Sequence, residues 1–308
     1  MRARAMRRTV QQAAPLGSGR YSASVQTLRF ILVDVFTDRA LSGNQLAVFT
    51  DARKLDAATM QALARETNLA ETVFVLPAQA EGHARIRIFT PARELPFAGH
   101  PTLGAAFVLG GPMQSNAVHL ETGAGIIPVT LEREGPRIVF GWMVQPVPSF
   151  ERFEPSAALL AALGVEASAL PIERYHLGPS HVYVALHSPD EVAKLAPDLA
   201  ALARVGDVGV NAFARTPDGW KTRMFAPRHG VNEDAATGSA AGPLAVHLTR
   251  HGWIRAGEEI RIDQGAEIGR PSRLYARVHG SAERIERVEV GGSAVIVGRG
   301  EFQLRNLP

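Results

Sequence analysis

The hydrophobic pattern of this chain is one of many short strands, broken twice by a helix that has no polar face. Leu28 to Phe36 is an apolar run with several β-formers and reads as a strand, Ser42-Gly43-Asn44 as a turn, and Gln45 to Phe49 as the next strand. Leu55 to Asn68 has amphipathic helical spacing, with Asp56 placed to cap it and Asn68 to stop it. Glu71 to Leu76 and Ala84 to Phe89 follow as strands. In the second, Arg85 and Arg87 alternate with Ile86 and Ile88, the period of a half-buried strand.

Pro101 to Gly110 is the first helix without a polar face, with Pro101 suited to position N1. The second runs from about Ala240 to Arg250 and ends at Gly252, a good C′ residue, with Pro243 expected in its first turn. A helix that is apolar all round is surrounded by protein. Strand-like runs fill the remainder: Val118 to Thr122, Ile126 to Leu131, Ile138 to Trp142, Val182 to Leu186, Lys221 to Phe225, Glu259 to Asp263, Arg273 to Val278, Val288 to Val290 and Ala294 to Gly298. The expected class is α+β, with many strands around one central helix in each of two halves. Pro146-Val147-Pro148 reads as the link between them. The first half would be 27–147 plus a C-terminal strand near 294–308, and the second 148–293. Ile88-Phe89-Thr90-Pro91 and Met224-Phe225-Ala226-Pro227 form a short internal repeat where a pseudo-twofold needs one.

Each apolar helix is entered through a carboxylate and a glycine turn. Glu94-Leu95-Pro96-Phe97-Ala98-Gly99-His100-Pro101 leads into the first, Asn232-Glu233-Asp234-Ala235-Ala236-Thr237-Gly238-Ser239-Ala240 into the second. Such mouths offer unpaired backbone N–H groups and the positive end of the helix dipole to an anion. Ordinary capping by His100 or Ser239 is the plainer alternative. Two mouths flanked by carboxylates point to one ligand cleft between the halves. Glu71 stands where a helix ends and an apolar strand begins. It is either a desolvated carboxyl fit for acid/base work or a solvated strand end. Asp234 either reaches a ligand or caps its own loop. Glu233 beside it is a decoy. His100 either donates or shuttles a proton in the loop, or is structural.

Bulk composition narrows the classes. At 308 residues, 46% hydrophobic and 20% charged, the chain suits two soluble globular domains. A net charge of +3, with no basic run interleaved with aromatics, argues against a nucleic-acid partner. Cysteine is absent, which removes disulfides, thiolate metal sites and cysteine nucleophiles and fits a reducing, cytoplasmic setting. No stretch reads as a membrane span: Leu95 to Val118 lacks charges but is broken by Gly and Pro. Residues 1–26 hold Arg2, Arg4, Arg7, Arg8 and Arg20 and no acid. They read as a disordered extension or an over-long translation start in preference to a transit peptide. No phosphate loop, dinucleotide fingerprint or nucleophile elbow is present. The ten histidines show no metal-type spacing with carboxylates, so no metal is expected.

These residues together resemble the PhzF-like (phenazine biosynthesis-like) proteins of the diaminopimelate epimerase-like fold. The resemblance runs from about Leu28 to the C-terminus. It rests on Val33-Asp34-Val35-Phe36-Thr37, Ser42-Gly43-Asn44, Asn68-Leu69-Ala70-Glu71-Thr72-Val73-Phe74-Val75, Arg87-Ile88-Phe89-Thr90-Pro91, the two mouths, Gln264-Gly265 and Gly269-Arg270-Pro271-Ser272. It implies two pseudo-symmetric halves, each a β-barrel-like sheet wrapped around a central helix. It implies cofactor-free proton transfer at carbon, an isomerisation of a dihydro-hydroxyanthranilate in the best-understood member, and a homodimer. The family's acid/base glutamate falls on Glu71, its assisting histidine on His100 and its active-site aspartate on Asp234. The amides that bind a small carboxylate-bearing substrate fall on Gly99, Gly238 and Ser239. Fold relatives that epimerise amino acids use two thiols, which this chain lacks. Gln45 and Ala235 stand where the family favours proline. The rival reading is an inactive member that binds a small molecule or a partner; a third is an isomerase or epimerase of an unrelated metabolite, and the sequence does not rank the substrates.

Overall fold

A computed structural model describes residues 25–305; the Arg-rich start up to residue 24 lies outside it. Among the described residues there are six α-helices: α1 (Ala57–Thr67), α2 (Gly99–Met113), α3 (Ser156–Leu163), α4 (Pro189–Lys194), α5 (Leu199–Val205) and α6 (Gly238–Arg250). The eighteen described strands join in one continuous sheet. Among the described residues no helix is long and apolar enough to cross a membrane.

The strand pairing repeats. In the first half Asn44–Phe49 lies parallel to Glu71–Leu76, which pairs antiparallel with Ala84–Phe89. Ala84–Phe89 then pairs antiparallel with the short Glu94–Leu95 and parallel with Ala117–Thr122. A meander through Gly125–Glu134 and Arg137–Gln145 follows. In the second half Ser180–Ala185, Gly209–Thr216, Gly219–Ala226, Val231–Asp234, Glu259–Gln264, Ser272–Gly280 and Ile285–Gly292 go through the same sequence of parallel and antiparallel partners. The last meander strands, Arg137–Gln145 and Ile285–Gly292, pair with each other and fuse the two sheets. The strand that follows each meander crosses over. Ser149–Arg152 pairs with Glu173–His176, and Ala294–Leu304 pairs with Gln26–Val35.

The repeat fixes counterparts residue by residue. Ile88 opposes Leu95, and Met224 opposes Asp234, so Leu95 and Asp234 hold equivalent places ahead of the two mouths. The central helices sit inside their sheets. Residues 99–108 of α2 and 238–249 of α6 are buried, and Leu103, Phe107, Leu244 and Val246 belong to one core cluster that spans both halves. Helix α1 follows its sequence signals closely: the Asp56 side chain accepts from Thr59 N at 2.8 Å, and Asn68 takes the left-handed C-cap conformation.

Both central helices begin earlier than their hydrophobic pattern suggests, because Gly99 and Gly238 are already helical. Pro101 is therefore the third helical residue, still inside the first turn, where no donor is lost. Pro243 is the sixth and not in the first turn as expected, so its missing N–H leaves the Ser239 carbonyl without its intrahelical donor.

Candidate active site

The mouths of α2 and α6 meet. A Cβ placed on Gly99 would lie 2.5 Å from the Gly238 carbonyl carbon and 2.6 Å from Ser239 N. Only glycine permits that approach. The N-cap residues are Ala98 and Thr237, and neither makes a side-chain cap. His100 and Ser239 are second helical residues and cap nothing. Two uncapped, positive helix ends thus converge on one point, a strong setting for an anion. A cavity of about 300 Å³ opens there, between the halves, and all six residues singled out in the sequence line it: Glu71, Gly99, His100, Asp234, Gly238 and Ser239.

Glu71 is the first residue of its strand and reaches the cavity with 17% of its side chain exposed. The protein around it is dense, so burial pushes its carboxyl well above the usual carboxylate range, and the Asp234 charge adds to the shift. It is not a solvated strand end. His100 is 3% exposed and presents Nε2 at 3.4 Å from Glu71 Oε2, with no hydrogen-bond partner for that nitrogen. Burial pulls the His100 ring down to about 3 against a weaker backbone hydrogen bond with Gln45, so the ring is neutral. Burial also raises Asp234, opposed by its hydrogen bonds from Thr237 and Asn44.

Asp234 is engaged within the protein: Oδ1 accepts from Asn44 Nδ2 at 2.8 Å and Oδ2 from Thr237 Oγ1 at 2.6 Å. Gln264 completes the clamp, accepting from Thr237 N and donating to Asp234 O. Asn44 also donates to Ala236 O at 2.9 Å, so one side chain of the first half holds the loop of the second. Its own turn is fastened from the second half: Arg270 donates to the Gly43 and Ser42 carbonyls and pairs with Asp34 at 2.7 Å. Sequence reasoning took Asn44 as a turn residue and part of a family motif but gave it no role in the site, since its partners lie about 190 positions away in the chain. Asn44→Ala leaves two buried acceptors unserved, at a cost of about 1–3 kcal/mol. It should also raise Asp234 further, because the Asn44 bond holds that group down. Urea unfolding would show the lost stability, and unchanged stability would remove Asn44 from the clamp.

The pseudo-symmetry is broken at the cleft. Leu46 pairs with Glu71 in the first half, and His181 pairs with Gly209 in the second, so glycine fills the place equivalent to Glu71. His100 is matched by Ser239 and Asp234 by Leu95. The cleft therefore has one carboxyl at this position, not a symmetric pair. Glu233 pairs with Arg223 at 2.7 Å, matching the Arg87–Glu94 pair of the first half at 2.6 Å. Arg93, Asp207 and His229 gather at the rim, with His229 Nε2 2.5 Å from Asp207 and Arg93 4.0 Å from it across the cleft.

One grouping departs from the expected absence of histidine–carboxylate clusters. Glu173, His247 and His251 bring ligand-type atoms within 4.8 Å of one another. The i, i+4 spacing of the histidines, His247 on α6 and His251 at its C-cap, was the readable signal. The Arg250 guanidinium sits 2.6 Å from the same Glu173 oxygen, and Tyr175 donates to it at 2.8 Å. That carboxylate is an anchor for the end of α6, held well below the usual carboxylate range by these donors against the cost of its burial.

The model of the phenazine biosynthesis-like protein family matches residues 33–300. A trans-2,3-dihydro-3-hydroxyanthranilate isomerase of Pseudomonas aeruginosa is 50% identical over 276 residues, covering 90% of this chain and 99% of that protein. Another of the same name from Pseudomonas fluorescens is 49% identical over 275 residues, covering 89% and 99%. Among solved structures, a Bacillus anthracis phenazine biosynthesis protein of the PhzF family aligns with a TM-score of 0.79 at 25% identity, over 91% of this chain and 100% of that one. A hydroxyproline epimerase of Agrobacterium vitis shares the fold, with a TM-score of 0.64 at 12% identity over 93% and 94%. Fold and relatives together define an isomerase on an epimerase-like scaffold. The chain belongs to the phenazine biosynthesis-like (PhzF) family.

Proposed function

We propose that the cleft moves a proton between two carbons of a small carboxylate-bearing substrate, with Glu71 as the single acid/base and no cofactor. The observation that carries this is the Glu71 carboxyl itself. It is desolvated, kept within reach of both protonation states near working pH, and aimed into a cavity walled by two uncapped helix ends. As the carboxylate, Glu71 takes the proton from carbon, and the electron pair of the broken C–H bond moves into the conjugated system. The paired helix mouths stabilise the negative charge that develops. Glu71, now the acid, returns the same proton to a second carbon, so the step is balanced within one molecule of substrate.

Asp234, locked by Asn44 and Thr237, acts through Glu71: its charge helps keep the proton on that carboxyl. His100, neutral and facing Glu71, orients it and supplies no charge. The curated relatives suggest the substrate, trans-2,3-dihydro-3-hydroxyanthranilate. We take the halves to divide near Pro146-Val147-Pro148 and the protein to work as a cytoplasmic homodimer, which sedimentation of the purified chain would check. Proton NMR in D₂O with that dihydro-hydroxyanthranilate and a panel of other small carboxylates tests the chemistry. The expected result is isomerisation of the first compound, with any solvent deuterium that enters confined to the donor and acceptor carbons. Conversion of another carboxylate alone would move the substrate assignment. No conversion or exchange of any compound by folded protein would sink the proton-transfer reading.

A further inference from the structure

Ser239 and His181 form a hydroxyl–imidazole pair in the wall of the cleft, with Ser239 Oγ 3.0 Å from His181 Nε2. Both are buried, at 6% and 3% exposure. A serine beside a histidine at a helix N-terminus has the parts of an activated nucleophile. Whether it is one depends on which ring nitrogen carries the proton, and that is decided behind the histidine.

His181 Nδ1 faces Asn211 Nδ2 at 3.4 Å. The orientation of that amide is set by its other contacts, because Nδ2 also lies 3.2 Å from Val182 O and 3.1 Å from Gly209 O. Two carbonyls require the NH₂ end there; a flipped amide would put its oxygen against both. The atom facing Nδ1 is therefore a donor, and Nδ1 must be the bare nitrogen. Burial, with the nearby His229 charge, pulls His181 down to about 3, so the ring is neutral and carries one proton. With Nδ1 bare, that proton is on Nε2 and is donated to Ser239 Oγ.

We propose that Asn211 and His181 are a positioning pair that fixes the polarity of the Ser239 hydroxyl, so that Ser239 donates its proton to an acceptor oxygen of the bound substrate. This rests on the reading above that Ser239 faces the substrate. The hydroxyl accepts from His181 and has no other protein partner among the described residues, so its own proton is free to point into the cavity. The serine is then the reverse of a nucleophile: no base is available to take its proton. Its donor joins the α6 mouth N–H groups, so this end of the cleft selects an acceptor such as a carboxylate oxygen and disfavours an ammonium or hydroxyl donor. Glycine at 209 is part of the device, since a Cβ there would come 2.8 Å from His181 Nδ1.

The tautomer can be read directly. Long-range ¹H–¹⁵N spectra of the full chain labelled with ¹⁵N-histidine should show His181 with its proton on Nε2 and Nδ1 bare, the signals being assigned by their loss in His181→Gln. A proton on Nδ1 overturns the proposal whatever the enzyme's activity. The kinetic consequence is a split. His181→Leu removes the donor that orients Ser239 and should raise KM for trans-2,3-dihydro-3-hydroxyanthranilate about tenfold, with kcat within about threefold, because a contact to the carboxylate acts on ground state and transition state alike. His181→Gln, whose side-chain amide can still donate to Oγ, should recover most of the loss. Equal KM in wild type and His181→Leu overturns the proposal, as does a fall in kcat with KM unchanged. The tautomer is measured in the wild-type protein, so a variant that fails to fold does not remove the test. A wild type that converts no dihydro-hydroxyanthranilate, yet shows the Nε2 proton, counts against the substrate and not against the hydroxyl's direction.

Discussion

Glu71→Gln should lose turnover and, at the same time, gain stability over the wild type as pH rises above the ordinary carboxylate range. The loss follows from the chemistry: a positioned acid/base contributes about 10²–10⁴-fold, and an amide neither takes nor returns the proton. The gain follows from linkage. The folded protein holds the Glu71 proton more tightly than the unfolded chain does, because burial and the Asp234 charge disfavour the carboxylate. Below the ordinary carboxylate range both states are protonated, and the contribution is fully present. As pH rises from there to the raised folded value, only the unfolded chain ionises freely, and stability falls by up to about 1.4 kcal/mol per pH unit. Glutamine has no proton to lose, so the variant escapes that fall. Unfolding midpoints of both proteins across pH 5 to 9 would show the curves diverging upward in favour of the variant. Parallel curves would mean that Glu71 is not desolvated, and wild-type turnover would end its assignment as the acid/base. A dead but more stable enzyme also rules out misfolding as the cause of the loss.

Gly99→Ala should rank next. The added methyl would meet backbone, not a side-chain tip: Gly238 C at 2.5 Å and Ser239 N at 2.6 Å. Neither atom can rotate away, so the two mouths must move apart. Overpacking of this kind costs about 1–3 kcal/mol. The larger effect is on catalysis, because Glu71 and His100 lie on one side of that contact and Asp234 and Ser239 on the other. A displacement of about 1 Å between groups that act together can cost about 10²-fold. The expected result is a fall of about that size in kcat/KM in a protein that still folds. Gly111→Ala is the control in the same helix, since a Cβ there meets nothing within 4 Å. Equal activity of the two variants would show that the mouths do not need to touch.

The sequence made some features legible and hid others for physical reasons. Helix α1 was readable because Asp56 and Asn68 act on neighbouring backbone. Both mouths were readable because a carboxylate, a glycine turn and an uncharged run are contiguous. The starts of α2 and α6 were misplaced by two residues, since glycine at a helix start looks like loop. Gly209–Thr216 went unread as a strand because its first six residues are all buried and give no alternation. The strands Ser149–Arg152 and Glu173–His176 and the short helices α3 to α5 also escaped notice, their patterns being too brief for a period to emerge. In the site, Glu71, His100 and Asp234 carry local signatures. Asn44, His181, Asn211 and Gln264 act through contacts made 27 to 192 positions away; Asn44 and Gln264 stand in motifs of the resemblance, but no local pattern announces what any of the four does.

The crossing of strands between the halves has a consequence for how the chain comes into being. Gln26–Val35 is the first of the described strands to leave the ribosome, and its partner Ala294–Leu304 is the last of them. The half that is made first is therefore completed last. Until Ala294–Leu304 emerges, one edge of Gln26–Val35 lacks its strand, whereas Ser149–Arg152 finds its partner Glu173–His176 within about twenty residues of chain. Such long-range closure is slow, and an open sheet edge invites pairing with another chain. The same arrangement sets the two ends of the described residues side by side, Gln26 against Leu304, so that this stretch is, in its connectivity, almost a ring.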